Sequence, residues 1–559
     1  MNPPGEARAS ARLVLLACLL LGALGLHRGL WTPDEPREAE ISREMALAPT
    51  VIPTLNGQRF IEKPPLYYWV IAGVFRAAGQ PSGDLARAVS SLAGLATLLA
   101  VVAWAARAGR REAGLLAALL LATSVQFLVS THWVLIDPLL MLFTTLAAWA
   151  GWERLAGRGR GPGWLALLYG ALALALWTKG LIGVVLVVFG IGVATLAGRH
   201  DWRRLRPCSG ALFLAAMVAL LGAAICAEGG RSALWEWAWV NHVQRFTNPG
   251  ATGHRQPLPY YLWTLPMALL PWLVPLVDGL ATALRTILHR RAAAPGDALQ
   301  RYAGWLAAAM LLPLSASATK RETYLLPLLP PLALCLALRV TDWYAAWHAA
   351  RAGAGWRWWA QFPLLALYAL APGVAALVYL RRADPPALLA LLAALAAVGL
   401  CLVAVLRDRR PLAARAALGC AVVGAASLLV LAPRAIDAQK NMAPFVRWVD
   451  TRLPPGQPVS ALNVDETLAA IVPFESGRSV IALDAAALAR TGSLPEWLLQ
   501  QEADKGERTP VPPGYALAGR ARFGSGRALS LWRRSAVAEP AAGAAAPAAS
   551  RAAPPATAP

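Results

Sequence analysis

The sequence predicts a polytopic α-helical membrane protein with about 13 spans, followed by a small external α/β domain. Three observations carry that prediction. Of 559 residues, 57% are hydrophobic and only 15% are charged, against about 25% charged in soluble domains. Apolar runs such as 88–106, 210–227, 362–380 and 388–406 are long enough to cross a hydrocarbon layer of about 30 Å as helices. The excess positive charge, +21 in all, sits in short arginine clusters between such runs, as in cytoplasmic loops of membrane proteins. An ordinary soluble enzyme, a disordered chain and a coiled coil are excluded. Nucleic-acid binding is excluded by the position of the charge, despite its sign.

Spans are expected over residues 12–30, 88–106, 113–131, 138–155, 163–178, 181–197, 210–228, 257–284, 302–316, 322–340, 362–380, 386–406 and 411–431. The first follows Arg8 and Arg12 and lacks a small-x-small cleavage pattern, so it reads as a retained span and not a signal peptide. The apolar segment Pro64–Ala78 is short and interrupted by Arg76, and parity decides its status. If it crossed, the clusters around Arg107, Arg154, Arg203, Arg290 and Arg409 would all face outward. If it lies along the surface or re-enters, all of them face the cytoplasm and only Arg381 and Arg382 lie outside. The N-terminus is therefore placed inside, and the C-terminus outside.

The membrane part is taken as 1–435, with long external loops at 32–83 and 229–256; loops of this size between spans usually carry function. Glu35–Ala48 reads as an amphipathic helix lying on the surface. Residues 436–535 regain a polar composition. Asn441–Thr451 and Leu494–Ala503 read as helices, Pro458–Leu462 and Arg478–Ala482 as strands, and Tyr515–Phe523 with Arg527–Arg533 as a hairpin. The Ala/Pro-rich stretch 536–559 reads as disordered. The six cysteines, Cys18, Cys208, Cys226, Cys335, Cys401 and Cys420, lie in or beside apolar runs without metal or redox spacing.

This topology gathers the motif-like polar residues on the external side. Five lysines stand against 47 arginines, and Lys63, Lys179 and Lys320 all fall in the first external loop or at outer span ends. A compact ammonium there suits a phosphate gripped as a point charge; snorkelling anchors are the plainer reading. Asp34 and Glu35 follow the first span, and Asp137 opens another on the same side. A carboxylate there can act as a general base while cations hold a phosphate leaving group. The plainer reading of Asp34-Glu35-Pro36 and of Asp137-Pro138 is a helix start. Glu62, His242 and His254 could together hold a divalent metal (zinc, or magnesium or manganese), although their spacing matches no metal signature. No phosphate-cradling glycine loop, Gly-x-Ser-x-Gly or His-Glu-x-x-His occurs.

Trp31-Thr-Pro-Asp-Glu-Pro-Arg-Glu-Ala-Glu-Ile-Ser-Arg-Glu-Met45, followed by Glu62-Lys-Pro-Pro-Leu-Tyr-Tyr-Trp69, resembles the aminoarabinose (lipid A) transferases of the protein-mannosyltransferase-like superfamily. The likeness continues, in order, through Asp137-Pro138, Trp177-Thr-Lys-Gly180, Asn241-His-Val-Gln-Arg-Phe246, His254 to Tyr261, and Lys320-Arg-Glu-Thr-Tyr324. It implies a C-type glycosyltransferase fold, a polyprenyl-phosphate sugar donor and an acceptor on the outer face of the bacterial inner membrane. Asp34 then matches the family's catalytic base. Arg37, Lys63, Lys179, Arg245 and Tyr324 match positions around the carrier phosphate, and Glu62 and His242 match a metal-binding spot that need not be catalytic. Two departures bear on the sugar: Asn241 stands where these enzymes commonly have glutamate, and the residues between Lys320 and Tyr324 differ.

The expected activity is inverting transfer of one sugar, with 4-amino-4-deoxy-L-arabinose onto a lipid A phosphate as the specific case and no cofactor required. Another sugar moved to a different glycan or to a protein hydroxyl is the alternative acceptor chemistry. A polyprenyl-lipid transporter shares the spans and the cations, but it should show internal repeats or helices interrupted at the midplane.

Overall fold

A computed structural model describes residues 4–244, 255–288, 298–349, 355–380, 384–484, 494–502, 511, 513–524 and 527–535. The predicted tail 536–559 lies outside the described residues. The chain is a helical bundle followed by a five-stranded sheet. Its helices are α1 (Pro4–Ala23), α2 (Asp34–Leu47), α3 (Leu66–Ala78), α4 (Gly83–Arg107), α5 (Arg111–Ala122), α6 (Val125–Thr131), α7 (Asp137–Leu155), α8 (Pro162–Lys179), α9 (Leu181–Ala197) and α10 (Pro207–Trp235). They continue as α11 (Tyr260–Ala268), α12 (Leu273–Leu288), α13 (Ala298–Ala316), α14 (Leu329–His348), α15 (Trp356–Leu380), α16 (Pro385–Leu406) and α17 (Arg410–Lys440).

Among the described residues, six helical stretches are long and apolar enough to cross a membrane, or seven if the bent pair α5–α6 counts as one. Several further apolar helices, α3 and α9 among them, are shorter. The bundle is thus multi-pass, but several of the thirteen predicted spans are not single straight helices. Leu389, Leu392 and Leu406 of α16 are exposed, as side chains facing lipid are. Three of the arginine clusters meet at the C-terminal end of α7, where Arg154 Nε donates to the Arg204 carbonyl at 2.9 Å, Arg204 Nη1 donates to the Leu155 carbonyl at 3.1 Å and Arg107 lies 3.6 Å from Glu153.

Two predicted spans are broken. Residues 113–131 form α5 and α6, bent by 69°, because the Thr123 and Ser124 hydroxyls bond back to the carbonyls of Leu119 and Leu121 and so compete with the helical ladder. Residues 257–284 form α11 and α12, interrupted at 269–272 before and at Pro271, which has no amide hydrogen to give. The interruptions meet: Val125 N donates to the Leu270 carbonyl at 3.1 Å, and Trp272 Nε1 donates to Thr123 Oγ1 at 3.0 Å. Gln361 of α15 completes the join. Its Nε2 donates to the Pro271 carbonyl at 2.8 Å, and its Oε1 accepts from Val274 N at 3.3 Å. Irregular backbone inside a bundle is tolerated only where such partners are supplied. Gln361→Leu therefore strands two buried groups, and is expected to cost about 1–3 kcal/mol, read as a lowered unfolding midpoint in detergent.

After α17 come α18 (Ala443–Asp450), β3 (Val459–Leu462), α19 (Glu466–Ser476), β4 (Val480–Leu483), β5 (Trp497–Glu502), β6 (Tyr515–Arg522) and β7 (Ala528–Arg534). The strand order is β4-β3-β5-β7-β6. β3 lies parallel to β4 and β5, and the β5–β7 and β7–β6 pairs are antiparallel. Leu494–Ala503, predicted as a helix, contains strand β5 instead. Trp497-Leu-Leu-Gln-Gln-Glu502 is built of good helix formers, yet it is buried between β3 and β7, and pairing on both sides overrides propensity. α19 was not anticipated; the Asp465 carboxylate caps it by accepting from Leu468 N at 2.9 Å.

The prediction of a surface-lying helix at 35–48 also changes. α2 forms, but most of it is buried. Its Ala39, Ile41 and Met45 join one core with Tyr67, Tyr68 and Ile71 of α3 and with Leu468 and Ile471 of α19. A short hairpin, β1 (Thr54–Leu55) and β2 (Gln58–Arg59), turns through Asn56-Gly57, both at positive φ. The C-terminal sheet is thereby packed directly over the first long loop.

Candidate active site

The doublet Asp34-Glu35 opens α2, and its two carboxylates do different work. Glu35 is fully buried. Its Oε2 accepts from Arg28 Nη1 at 2.6 Å and from Trp31 N at 2.7 Å. Its Oε1 accepts from Arg28 Nη2 at 3.0 Å, Arg87 Nε at 3.1 Å and Val134 N at 3.0 Å. Arg87, equally buried, gives its other donors to Asp84 and to the carbonyls of Leu26, Arg28 and Gly29. This network ties the end of the first span, α4 and the α6–α7 loop to the start of α2. It fixes where Asp34 stands.

Asp34 is buried too, but its partners among the described residues are cations. Arg37 Nη2 donates to its Oδ1 at 3.0 Å, and Arg321 Nη2 to its Oδ2 at 2.7 Å. Burial pushes the carboxyl pKa up, but Arg37, Arg321 and Lys63 together outweigh it and hold Asp34 below its ordinary value. Asp34 is therefore ionised and a weak base. The sign follows: its ion pairs stabilise the fold above the unfolded carboxyl pKa, and this contribution is lost as pH falls through the lowered value. If the carboxylate is the working form, the acid limb of kcat/KM lies below the ordinary carboxylate range. Arg321→Ala, which removes one cation, is expected to move that limb to higher pH, and a pH–rate profile of the two proteins checks it.

Beside this cluster opens a cavity of about 380 Å³, with a polar end at Glu62, Lys63, Asp137, Lys179, Asn241 and Tyr324. Leu181, Ile182, Val185 and Leu186 of α9 supply apolar wall. Lys179 is the last residue of α8 and Asp137 the first of α7, so each charge complements its helix end. The two form a salt bridge, and Lys179 Nζ lies 4.4 Å from the centre of the Tyr324 ring. Gly180 makes the turn into α9 at φ 76°, ψ −159°, a conformation essentially closed to other residues; this keeps Lys179 at the cavity. Lys63 stands 3.7 Å from Glu62, and burial holds its pKa below the ordinary value.

The structure thus brings together Asp34, Arg37, Lys63, Asp137, Lys179 and Tyr324, as the sequence suggested. Asp137 is engaged by Lys179, which makes it a partner of that cation. Lys320 is not at the cavity: its ammonium donates to the carbonyls of Gln256 at 3.3 Å and Ser317 at 2.5 Å and pins the loop. Its neighbour Arg321 is the cation that reaches Asp34. Arg321 stands among the external polar residues of the sequence without a role assigned to it, and Arg87 is not singled out there; as a charge at the very edge of an apolar run, Arg87 was the available signal. Arg245, His254 and the side chain of His242 lie outside the described residues. Of the predicted metal trio only Glu62 is described with its side chain, and it sits against an ammonium. Among the described residues no group of three metal-ligating side chains forms.

Residues 11–229 match the family model for dolichyl-phosphate-mannose-protein mannosyltransferase. The chain is 35% identical over 322 residues to an undecaprenyl phosphate-alpha-4-amino-4-deoxy-L-arabinose arabinosyl transferase of Edwardsiella ictaluri, covering 56% of this chain and 55% of that one. It is 33% identical over 340 residues to the protein of that name from Pseudomonas aeruginosa PAO1, covering 59% of each. The chain therefore matches just over half the length of these curated relatives. In fold it is similar over 95% of its length to ArnT from Cupriavidus metallidurans bound to undecaprenyl phosphate, covering 98% of that chain with a TM-score of 0.71 at 21% identity. The oligosaccharyltransferase AglB from Archaeoglobus fulgidus shares the architecture more distantly, at a TM-score of 0.53 and 11% identity over 89% of this chain and 70% of that one. The resemblance read from the sequence motifs is borne out.

Proposed function

We propose that this chain is an inverting membrane glycosyltransferase, moving one sugar from a polyprenyl-phosphate donor to a phosphate acceptor, with 4-amino-4-deoxy-L-arabinose and lipid A as the specific pair. The observation that carries this reading is the two-sided cavity. Lys63 and Lys179 at one end suit a lipid phosphate, the α9 wall suits the first isoprene units, and Asp34 stands beside them between two guanidiniums.

In the step, an acceptor oxygen attacks the anomeric carbon as the bond from that carbon to the carrier-phosphate oxygen breaks, and the electron pair leaves with the phosphate. Lys63, Lys179 and Tyr324 stabilise the charge developing there. Asp34 orients the acceptor and takes any proton it carries. The low basicity of Asp34 favours an acceptor that is already acidic, such as a phosphate monoester, over a serine, threonine or sugar hydroxyl. Arg37 and Arg321 supply the matching positive charge. Asp137 holds Lys179 in place.

The meeting of the clusters at Arg107, Arg154 and Arg204 at the end of α7 opposite Asp137 supports a cytoplasmic N-terminus and a periplasmic site and C-terminal sheet, with about 13 membrane-crossing or re-entering segments. The broken spans could favour a transporter, but the breaks at 123–124 and 269–272 close on each other, and neither lines the cavity.

The test is mass spectrometry of lipid A and of polyprenyl-phosphate sugars from cells with and without the gene. Loss of an aminoarabinose-sized addition on lipid A, with donor accumulating, is the expected result. Accumulated donor with unchanged lipid A would move the activity to another acceptor. If neither pool changed, the transferase reading would be wrong.

A further inference from the structure

Among the described residues, Glu466 of α19 links the C-terminal α/β unit to the reacting centre. Arg37 spends all three guanidinium nitrogens. Nε and Nη2 donate to Glu38 at 3.2 and 2.7 Å, Nη2 also donates to Asp34 at 3.0 Å, and Nη1 donates to Glu466 Oε2 at 2.8 Å. Asp34, Arg37 and Glu38 belong to α2, so they cannot by themselves fix the plane of the guanidinium from outside their own helix. Two groups that approach from other segments can: the Phe60 ring, 5.6 Å from the guanidinium carbon, and Glu466, which opens α19 and takes the Nη1 donor.

The approach of Glu466 is built into the fold. Asp465 caps α19 and pairs with Arg527 at 3.1 Å, and Arg527 Nη1 also donates to Thr467 Oγ1 at 3.0 Å. The two residues flanking Glu466 are thus locked to the segment that leads into β7. The sheet in turn is held to the first loop by the Asn56 amide. Its Nδ2 donates to the Val480 carbonyl at 2.7 Å and its Oδ1 accepts from Val480 N at 2.9 Å, as a neighbouring strand would. The shared core of α2, α3 and α19 backs both contacts.

We propose that Glu466 is a positioning residue: held by the C-terminal sheet, it orients Arg37 so that Nη2 faces Asp34 and the acceptor, which makes the sheet part of the transferase site. This rests on the transferase reading above. Glu466 is 51% exposed, so its pair with Arg37 adds little to folding stability, and its loss is read in the rate.

The experiment compares sugar transfer by the purified full-length chain carrying Glu466→Ala, Glu466→Asp, Arg37→Ala and the double change Arg37→Ala/Glu466→Ala. Glu496→Ala, which breaks a sheet ion pair with Arg533, serves as the control. Glu466→Ala is expected to lower kcat about tenfold with donor KM within about twofold, Glu466→Asp to recover most of it, and the unfolding midpoint to stay put. The double variant is expected to be no slower than Arg37→Ala alone, because Glu466 acts only through Arg37. Wild-type kcat in Glu466→Ala, a loss equalled by Glu496→Ala, or additive losses in the double variant would each overturn the proposal. Asp34→Asn separates the two readings. If it is inactive while Glu466→Ala is normal, the positioning role alone falls. If the unmodified protein transfers no sugar, the transferase reading falls and takes the positioning role with it.

Discussion

Asp34→Asn is expected to lower sugar transfer by about 10²–10⁴-fold while binding of the polyprenyl-phosphate donor stays within a few-fold of normal. The reason is spatial. On the proposed reading Lys63, Lys179 and Tyr324, which line the cavity, hold the donor phosphate, whereas Asp34, which contacts Arg37 and Arg321, meets the acceptor. Asparagine keeps the shape but neither takes a proton nor balances the two guanidiniums. Product formation by mass spectrometry and donor binding by fluorescence quenching measure the two halves separately. Near-normal turnover would remove Asp34 from the chemistry, and a parallel collapse of donor binding would make its role architectural.

Its neighbour is expected to behave in the opposite way. Arg87→Ala removes the buried guanidinium that joins Glu35 to three backbone carbonyls, leaving an under-compensated carboxylate and orphaned acceptors. Breaking a buried pair from one side costs about 3–5 kcal/mol, so the expected outcome is a protein that is poorly inserted or lost from the membrane, not a slow enzyme. Quantitative membrane blotting and a size-exclusion profile in detergent report it. An Arg87→Ala protein that accumulates and unfolds normally but has lost activity would show that the network tunes the site instead of building it.

How much of this was legible in the sequence follows from the physics of each signal. Composition and run length are local properties, so the multi-pass bundle could be read directly. Scarcity made the lysines informative: Lys63 and Lys179 line the cavity. The same argument failed for Lys320, because an ammonium serves equally well to tie down carbonyls, and nothing local distinguishes the two uses. Arg321, named beside it, gave no sign that it pairs with Asp34. The Asp34-Glu35 doublet showed that carboxylates were wanted, but not that one is sealed in a network and the other faces the site. That division depends on Arg28 and, distant in sequence, on Arg87 and Val134. Strand β5 and the buried face of α2 were misread for the same reason: each takes its environment from a segment hundreds of residues away or from a sheet not yet assembled.

The paired breaks in α5–α6 and α11–α12 bear on how the chain is made. Membrane helices enter the bilayer in order of synthesis, N-terminal segments first. When α5 and α6 arrive, the amide of Val125 has no acceptor, since Leu270 and the loop around Pro271 have not yet been synthesised; Gln361, which completes the second break, comes later still. Until then the early segment must stay near the aqueous edge or remain in the insertion machinery. The local hydroxyl bonds of Thr123 and Ser124 favour the bend from the start, but its join to Leu270 and Trp272 closes late, and a ribosome-bound chain that ends before Leu270 should show residues 123–125 in an environment unlike that of the finished protein. Cysteine accessibility along that stretch, measured at successive nascent-chain lengths, would show when the join closes.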